Sequence, residues 1–323
     1  DEVIGRGGMS VVLKARDRLL NRPVAVKLLS NDLQDRPEAQ EIFLTEARNL
    51  ATLSHPNLVA VHDICKVDER VFMVIEYVEG ENLEKLLSQM RRFNQALTLQ
   101  TVIQLTRVVG YLHDHGMIHR DLKPANAMIR NDGTLKLIDF GLARHFDELY
   151  IRGTRVRGTP AYMAPEQLQG NPLTPASDVY QIGVCLFETL TGRLPFVDGD
   201  MVYAHVHNQA PRVDELAPET APELVELVAQ CLRKDPEERP KDGNALLRSL
   251  QAIYQSVGGT DHNLLADLRP EDRTFDPVPQ GSGSVPRMTP TSAHELSSQD
   301  MNVMSTGAFP ASNRSMVGPI VIG

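Results

Sequence analysis

The stretch "HRDLKPAN", His119–Asn126, puts an acid, a lysine and an amide within one short polar loop. Directly after it, "NAMI", "RNDG" and "TLKLI" read as a hairpin, with Asp132-Gly133 as the turn signal. The hairpin returns the chain to "DFG", Asp139–Gly141, so Asn126 and Asp139 are expected side by side. Taken singly, Asp121, Lys123, Asn126 and Asp139 would pass as solvated loop residues. Together they read as a site, because Asn and Asp both offer the oxygen donors that Mg²⁺ requires.

Working back toward the N-terminus, "IGRGGMSVV", Ile4–Val12, has the glycines of a phosphate cradle, but Ser10 stands where the third glycine belongs. A glycine cluster by itself mostly marks a turn. Beyond it, "SVVLKAR" (10–16) and "PVAVKLL" (23–29) are β-branched runs around a turn at Asn21. A helix is expected from Pro37 to Leu53, with Pro37 in its first turn and Ile42, Leu44, Ala47, Leu50 and Ala51 on its apolar face. "HPN" (55–57) breaks it, and strands are expected at Leu58–Asp63 and Val71–Tyr77. Helical patterns then dominate, at Thr98–His115, Ser177–Thr191, Met201–Val206, Pro222–Leu232 and Gly243–Tyr254. A strand-rich part followed by a helix-rich part predicts an α+β fold of two lobes with a cleft between them.

The whole chain bounds the function. Its 323 residues are 41% hydrophobic, enough for a sizeable core, and a formal charge of −9 argues against a nucleic-acid partner. Cys65, Cys185 and Cys231 show neither metal-ligand spacing nor a disulfide framework, which suits a reducing, cytoplasmic compartment. No signal peptide or run of eighteen apolar residues is visible, and a chain opening on Asp1 reads as a fragment. Composition shifts near residue 257. Residues 1–257 read as one folded domain, whereas 258–323, rich in Ser, Thr, Pro, Gly and Asn, read as a flexible linker that buries too little apolar area to order itself.

The ordered series of glycine loop, "VAVK", helix glutamate, "HRDLKPAN", "DFG", "APE" (164–166) and "DPEERP" resembles the eukaryotic-like (Hanks-type) serine/threonine protein kinases over roughly residues 1–257. "GGMS" and "GTPAYMAPEQ" resemble the bacterial branch in particular. The resemblance implies a two-lobed kinase fold, its first strand cut short at the N-terminus, using ATP with Mg²⁺ or alternatively Mn²⁺. It implies that Ile4, Gly5, Gly7 and Val12 cover the nucleotide, that Lys27 contacts its α- and β-phosphates, and that Glu46, nineteen residues on, pairs with Lys27 in preference to Glu41. Asp121 would take or orient the substrate hydroxyl's proton, Lys123 steady the γ-phosphate, and Asn126 and Asp139 hold the metal ions. Ala25 and Met128 would sandwich adenine, and Glu76 and Val78 offer it backbone groups. Met128 as core filler is the plain alternative, and Glu81 at the ribose stays open. Leu50, Val61, His119 and Phe140 match a stack joining the lobes, Asp178 an anchor for the catalytic loop, and Glu166 with Arg239 a buried ion pair.

Lys123, Thr159 and the "APE" segment point to protein substrates phosphorylated on Ser or Thr, while Ala125 speaks against a strong preference for upstream arginine. Arg120 and Arg144 would receive a phosphate on Thr154, added by autophosphorylation and favouring homodimerisation in trans. A basic loop contacting an acidic substrate is the other reading of Arg152, Arg155 and Arg157. Thr289 and Thr291 are further accessible hydroxyls. Membrane attachment, if any, would come through sequence outside this chain. A pseudokinase scaffold is the rival from another class; it predicts loss of Lys27, Asp121, Asn126 or Asp139, and all four are present. A small-molecule kinase is disfavoured by "APE" and "SDVY".

Overall fold

The computed structural model describes residues 2–6, 10–67, 70–139 and 160–268. Its first part is a five-stranded antiparallel sheet, in the order β1-β2-β3-β5-β4. These strands are β1 (Glu2–Arg6), β2 (Ser10–Asp17), β3 (Arg22–Leu29), β4 (Val61–Val67) and β5 (Arg70–Glu76). Central strand β3 buries Val24, Ala25 and Leu29, while β1 lies at the sheet edge with most of its residues exposed. A short turn of helix, α1 (Asn31–Gln34), leads to α2 (Pro37–Ala51). Proline at the first position of α2 suits a place where no amide partner is needed. Ala39, Phe43, Ala47 and Leu50, spaced by four or three, form its buried stripe. Ile42 and Leu44 are only half-buried and Ala51 is exposed, so the apolar face is rotated from the expected one toward Phe43.

Expected strand 58–63 begins three residues later, at Val61. Leu58 and Val59 pair elsewhere: Leu58 bridges Leu137, and the Val59 amide donates to the Leu137 carbonyl at 3.0 Å. These β-prone residues therefore stitch the sheet to the hairpin that follows the 119–126 loop. That hairpin is β7 (Ala127–Arg130) with β8 (Leu135–Leu137), extended by β6 (Gly80–Asn82) into a second, three-stranded antiparallel sheet.

Helices make up the rest: α3 (Leu83–Met90), α4 (Gln95–Asp114), α5 (Pro165–Leu168), α6 (Pro175–Thr191), α7 (Met201–His207), α8 (Pro222–Cys231) and α9 (Gly243–Ser256). Among these, α3 and the single turn α5 have no counterpart among the expected elements. Helix α6 is buried on nearly every side, from Ala176 to Leu190. It starts in a capping box between Thr174 and Ser177 and stops at Gly192, whose φ of +74° a side chain would strain. At Gly183 the missing side chain lets α8 close in, since a Cβ there would meet Cys231 Cβ at 2.6 Å.

The expected linker boundary at 257 is displaced. Residues 258–268 pack back on the helical part: Leu265 is buried, the Leu264 amide donates to Gln100 Oε1 at 2.8 Å, and Gln100 Nε2 donates to the His262 carbonyl at 2.6 Å. Later residues of the linker lie outside the described ones.

Candidate active site

The loop between α4 and β7 is built around a buried anchor. Asp178 on α6 accepts the backbone amides of His119 at 2.7 Å and Arg120 at 2.8 Å. His113 Nδ1 accepts the Gly243 amide at 2.9 Å, so its Nε2 carries the proton and donates to Asp178 at 2.9 Å. This His113 link from the start of α9 was not legible beforehand, because its partners lie 65 and 130 residues away.

Held this way, the loop presents Asp121 between two donors. Lys123 Nζ reaches Asp121 Oδ2 at 2.8 Å, and Asn126 Nδ2 donates to Oδ2 at 3.0 Å and to the Asp121 carbonyl at 2.8 Å. With its nitrogen turned to Asp121, Asn126 is left with Oδ1 as its acceptor end. The Ile138 amide donates to the Asn126 carbonyl at 3.0 Å, which brings Asp139 beside Asn126 as the hairpin reading expects.

Lys27 enters from β3. Its side chain is buried, and Nζ pairs with Asp139 Oδ1. Burial works to lower its pKa, but Asp139 and then Glu46 outweigh it and hold the ammonium above the ordinary lysine value. The expected Lys27–Glu46 ion pair is corrected here. Burial pushes the Glu46 carboxyl up to about 8 against the pull of Lys27, and Asp139 pushes it further. Glu46 Oε1 has no hydrogen-bond partner among the described residues. The ammonium's ion pair among the described residues is with Asp139, and Glu46 acts on it only through its charge.

Of the residues expected at the nucleotide, Ala25 and Val78 are buried, Val12 and Met128 are half-buried against the core, and Ile4 is exposed. Gly5 pairs in register with Val12. Glu76 is committed elsewhere by its side chain: Lys136 Nζ contacts Oε2 at 2.9 Å and Arg130 Nη1 contacts Oε1 at 3.4 Å. Its amide donates to the Ala60 carbonyl at 2.9 Å. The Glu81 carboxylate meets Lys85 at 2.6 Å, one turn into α3. Lys136, buried and reaching both Glu76 and the Leu58 carbonyl, is a further residue that the strand pattern alone did not single out.

Glu166 and Arg239 form the expected buried pair, bidentate at 2.8 and 2.9 Å. Arg239 also donates to the carbonyls of Arg233, Ala176 and Lys234. Burial raises the Glu166 carboxyl, but the Arg239 hydrogen bonds and charge more than reverse that. Leu50 and His119 are buried and Val61 half-buried, as members of the expected stack. Gly7, Phe140, Arg144, Thr154, Thr159, Thr289 and Thr291 lie outside the described residues.

Residues 1–250 match the protein kinase domain. The chain is 38% identical over 270 residues to a probable serine/threonine-protein kinase of Streptomyces coelicolor, covering 80% of this chain and 40% of that protein. It is 36% identical over 258 residues to the serine/threonine-protein kinase PknA of Mycobacterium tuberculosis, covering 78% of this chain and 60% of that one. A probable serine/threonine-protein kinase PknB of Lactococcus lactis is 36% identical over 245 residues, 74% of this chain and 39% of that protein. The chain belongs to the protein kinase family, in its bacterial serine/threonine branch. It spans 39% to 60% of the length of these relatives.

Proposed function

We propose that the chain transfers the γ-phosphate of ATP to Ser or Thr hydroxyls of proteins, with Asp121 as the residue that accepts or orients the hydroxyl proton. The observation that carries this reading is the Asp121 carboxylate held by Lys123 and Asn126, with Asn126 in turn tied to Ile138, the residue before Asp139. Phosphoryl transfer needs little covalent chemistry from protein; it needs alignment and charge neutralisation. Lys123 supplies a positive charge beside the base, and Lys27, kept protonated in a buried setting, supplies a second one.

The donor set fits a divalent metal. Asn126 Oδ1 and the Asp139 carboxylate are hard oxygen ligands placed together by one backbone hydrogen bond. Asn126 and Asp139 would hold Mg²⁺, which neutralises charge on the triphosphate when bound; Mn²⁺ offers the same chemistry. Asp139 is presented for this by Ile138, and Lys27 pairs with its carboxylate. Ala25, Val78 and Met128 would give adenine an apolar surface, with Ile4, Gly5 and Val12 over it, and Glu76 has its carbonyl to offer, since its amide is taken by Ala60. Glu46, its carboxyl raised by burial, lies beside Lys27.

For control, autophosphorylation on Thr154, read by Arg120 and Arg144, follows from the same site acting on a second copy of the chain. The test is phosphate incorporation by the dephosphorylated chain with Mg-ATP, beside Asp121→Asn. Incorporation that is lost in the variant supports the reading; equal incorporation in both contradicts it.

A further inference from the structure

One buried side chain holds both peptide groups that flank Asp121. Gln181 on α6 is fully buried. Its Oε1 accepts the Leu122 amide at 2.8 Å, and its Nε2 donates to the Arg120 carbonyl at 2.8 Å. The second hydrogen on Nε2 goes to Gln167 Oε1 at 3.1 Å, and Gln167 Nε2 donates to the same Arg120 carbonyl at 3.0 Å. Orientation of the Gln181 amide is thereby fixed. Turned over, it would set oxygen against the Arg120 carbonyl and N–H against the Leu122 amide.

The peptide being held is a strained one. Arg120 has a φ of +71°, in the left-handed region that side chains disfavour. Asp178 grips the amides before that residue, at His119 and Arg120. Gln181 grips the groups after it, immediately before and after the Asp121 Cα. Asp178 and Gln181 stand three residues apart on α6, hence on one face of the helix. Gln167 belongs to α5, next to Glu166 and its anchor Arg239. The base is thus braced from a rigid buried helix and, through Gln167, from the "APE" segment.

We propose that Gln181, assisted by Gln167, is a positioning residue that sets the direction of the Asp121 carboxylate. The inference rests on the reading of Asp121 given above. It predicts an effect on turnover that exceeds any effect on nucleotide affinity, because among the described residues the glutamines hydrogen-bond to Arg120, Leu122 and each other, not to residues assigned to ATP.

The experiment uses the full chain and measures initial phosphate incorporation against ATP concentration for wild type, Gln181→Leu, Gln181→Glu, Gln167→Leu and Asp121→Asn, with thermal melts of each. Gln181→Leu is expected to lower kcat by roughly tenfold to a hundredfold, with the ATP KM within about twofold. Gln181→Glu adds a readout that packing alone would not move. Its protonated acid can still donate to the Arg120 carbonyl and its carboxylate cannot, so its rate relative to wild type should climb as pH falls from about 8 to about 6. A folded Gln181→Leu with kcat within about twofold of wild type overturns the proposal, as does a Gln181→Glu ratio that is flat with pH. If both Gln181 variants fail to fold, half-buried Gln167→Leu decides: a fall in kcat of about threefold or more supports the brace, and an unchanged kcat overturns it. Full incorporation by Asp121→Asn would instead remove the base reading itself, and the brace with it.

Discussion

The Ile138 amide donates to the Asn126 carbonyl at 3.0 Å, one residue short of Asp139. That bond closes the hairpin β7–β8 onto the 119–126 loop and makes neighbours of two oxygen donors thirteen positions apart in sequence. Lys27 then arrives from the other sheet to meet Asp139. Three segments of chain thus converge on one carboxylate.

Asn126→Ala removes one of the two proposed metal ligands and leaves Asp139 and Lys27 in place. The Mg²⁺ concentration for half-maximal phosphate incorporation should rise about tenfold or more, a loss of about 1.4 kcal/mol in metal binding. A Mg²⁺ titration that superimposes on wild type would argue that Asn126 serves only as the Asp121 hydrogen-bond donor.

Glu46 gives a pH prediction with a definite sign. Its carboxyl is raised in the folded state to about 8, above the ordinary 4.5. Between those values the folded chain keeps a proton that the unfolded chain releases, so stability drains away as pH rises through the window. Glu46→Gln removes that dependence. Melting temperatures of the variant, relative to wild type, should increase from pH 6 to about pH 9; a difference that stays constant would mean that Glu46 is ionised throughout.

The Glu166–Arg239 pair should be costly to break from one side. Glu166→Ala strands a buried guanidinium and is expected to destabilise the chain by about 3–5 kcal/mol in urea unfolding. Arg239→Met should cost at least as much, since the carbonyls of Arg233, Ala176 and Lys234 lose a donor too. A loss below about 1 kcal/mol for either would show that the interior rearranges to rescue the partner.

His205 supplies an acid limit. It is fully buried on α7, with Nδ1 at 2.9 Å from the Tyr180 hydroxyl. Burial lowers its pKa to about 4, with Lys234 adding to the effect. Here the unfolded chain binds the proton first, so the stability owed to neutral His205 is intact above about 6.5 and is lost as pH falls through 4. Melting temperature should drop between pH 7 and pH 4.5, and His205→Phe should flatten part of that drop. An identical acid profile in the variant would assign the loss to carboxylates instead.

Much of this was legible in sequence because local rules and the long-range fold agree. Hairpin β7–β8 follows its Asp-Gly turn, α2 its N-terminal proline, and the Glu166–Arg239 pair the resemblance to the kinase family. Where long-range pairing competes, local reading slips. Leu58 and Val59 look like the start of β4 but spend their hydrogen-bonding capacity on Leu137. Helix α3 did carry a signal, with Asn82 as its cap and Leu83, Leu86 and Leu87 as its buried stripe. Residues 258–268 have no periodicity to reveal them; they are held by polar contacts to Gln100, Tyr254 and Asp132 and by the buried Leu265. Lys27 pairing with Asp139, and not with Glu46, is set by three-dimensional placement, which spacing does not encode. Gln181 and Gln167 were invisible for a related reason. An amide's value here lies in which distant backbone groups it meets.

The most direct test of the whole account is phosphosite mapping after dephosphorylated chain is incubated with Mg-ATP, wild type beside Asp121→Asn. The account predicts phosphate on Ser or Thr of the wild-type chain, with Thr154 among the sites, and none on the variant. Equal phosphate on both chains, or none on the wild type, would contradict it.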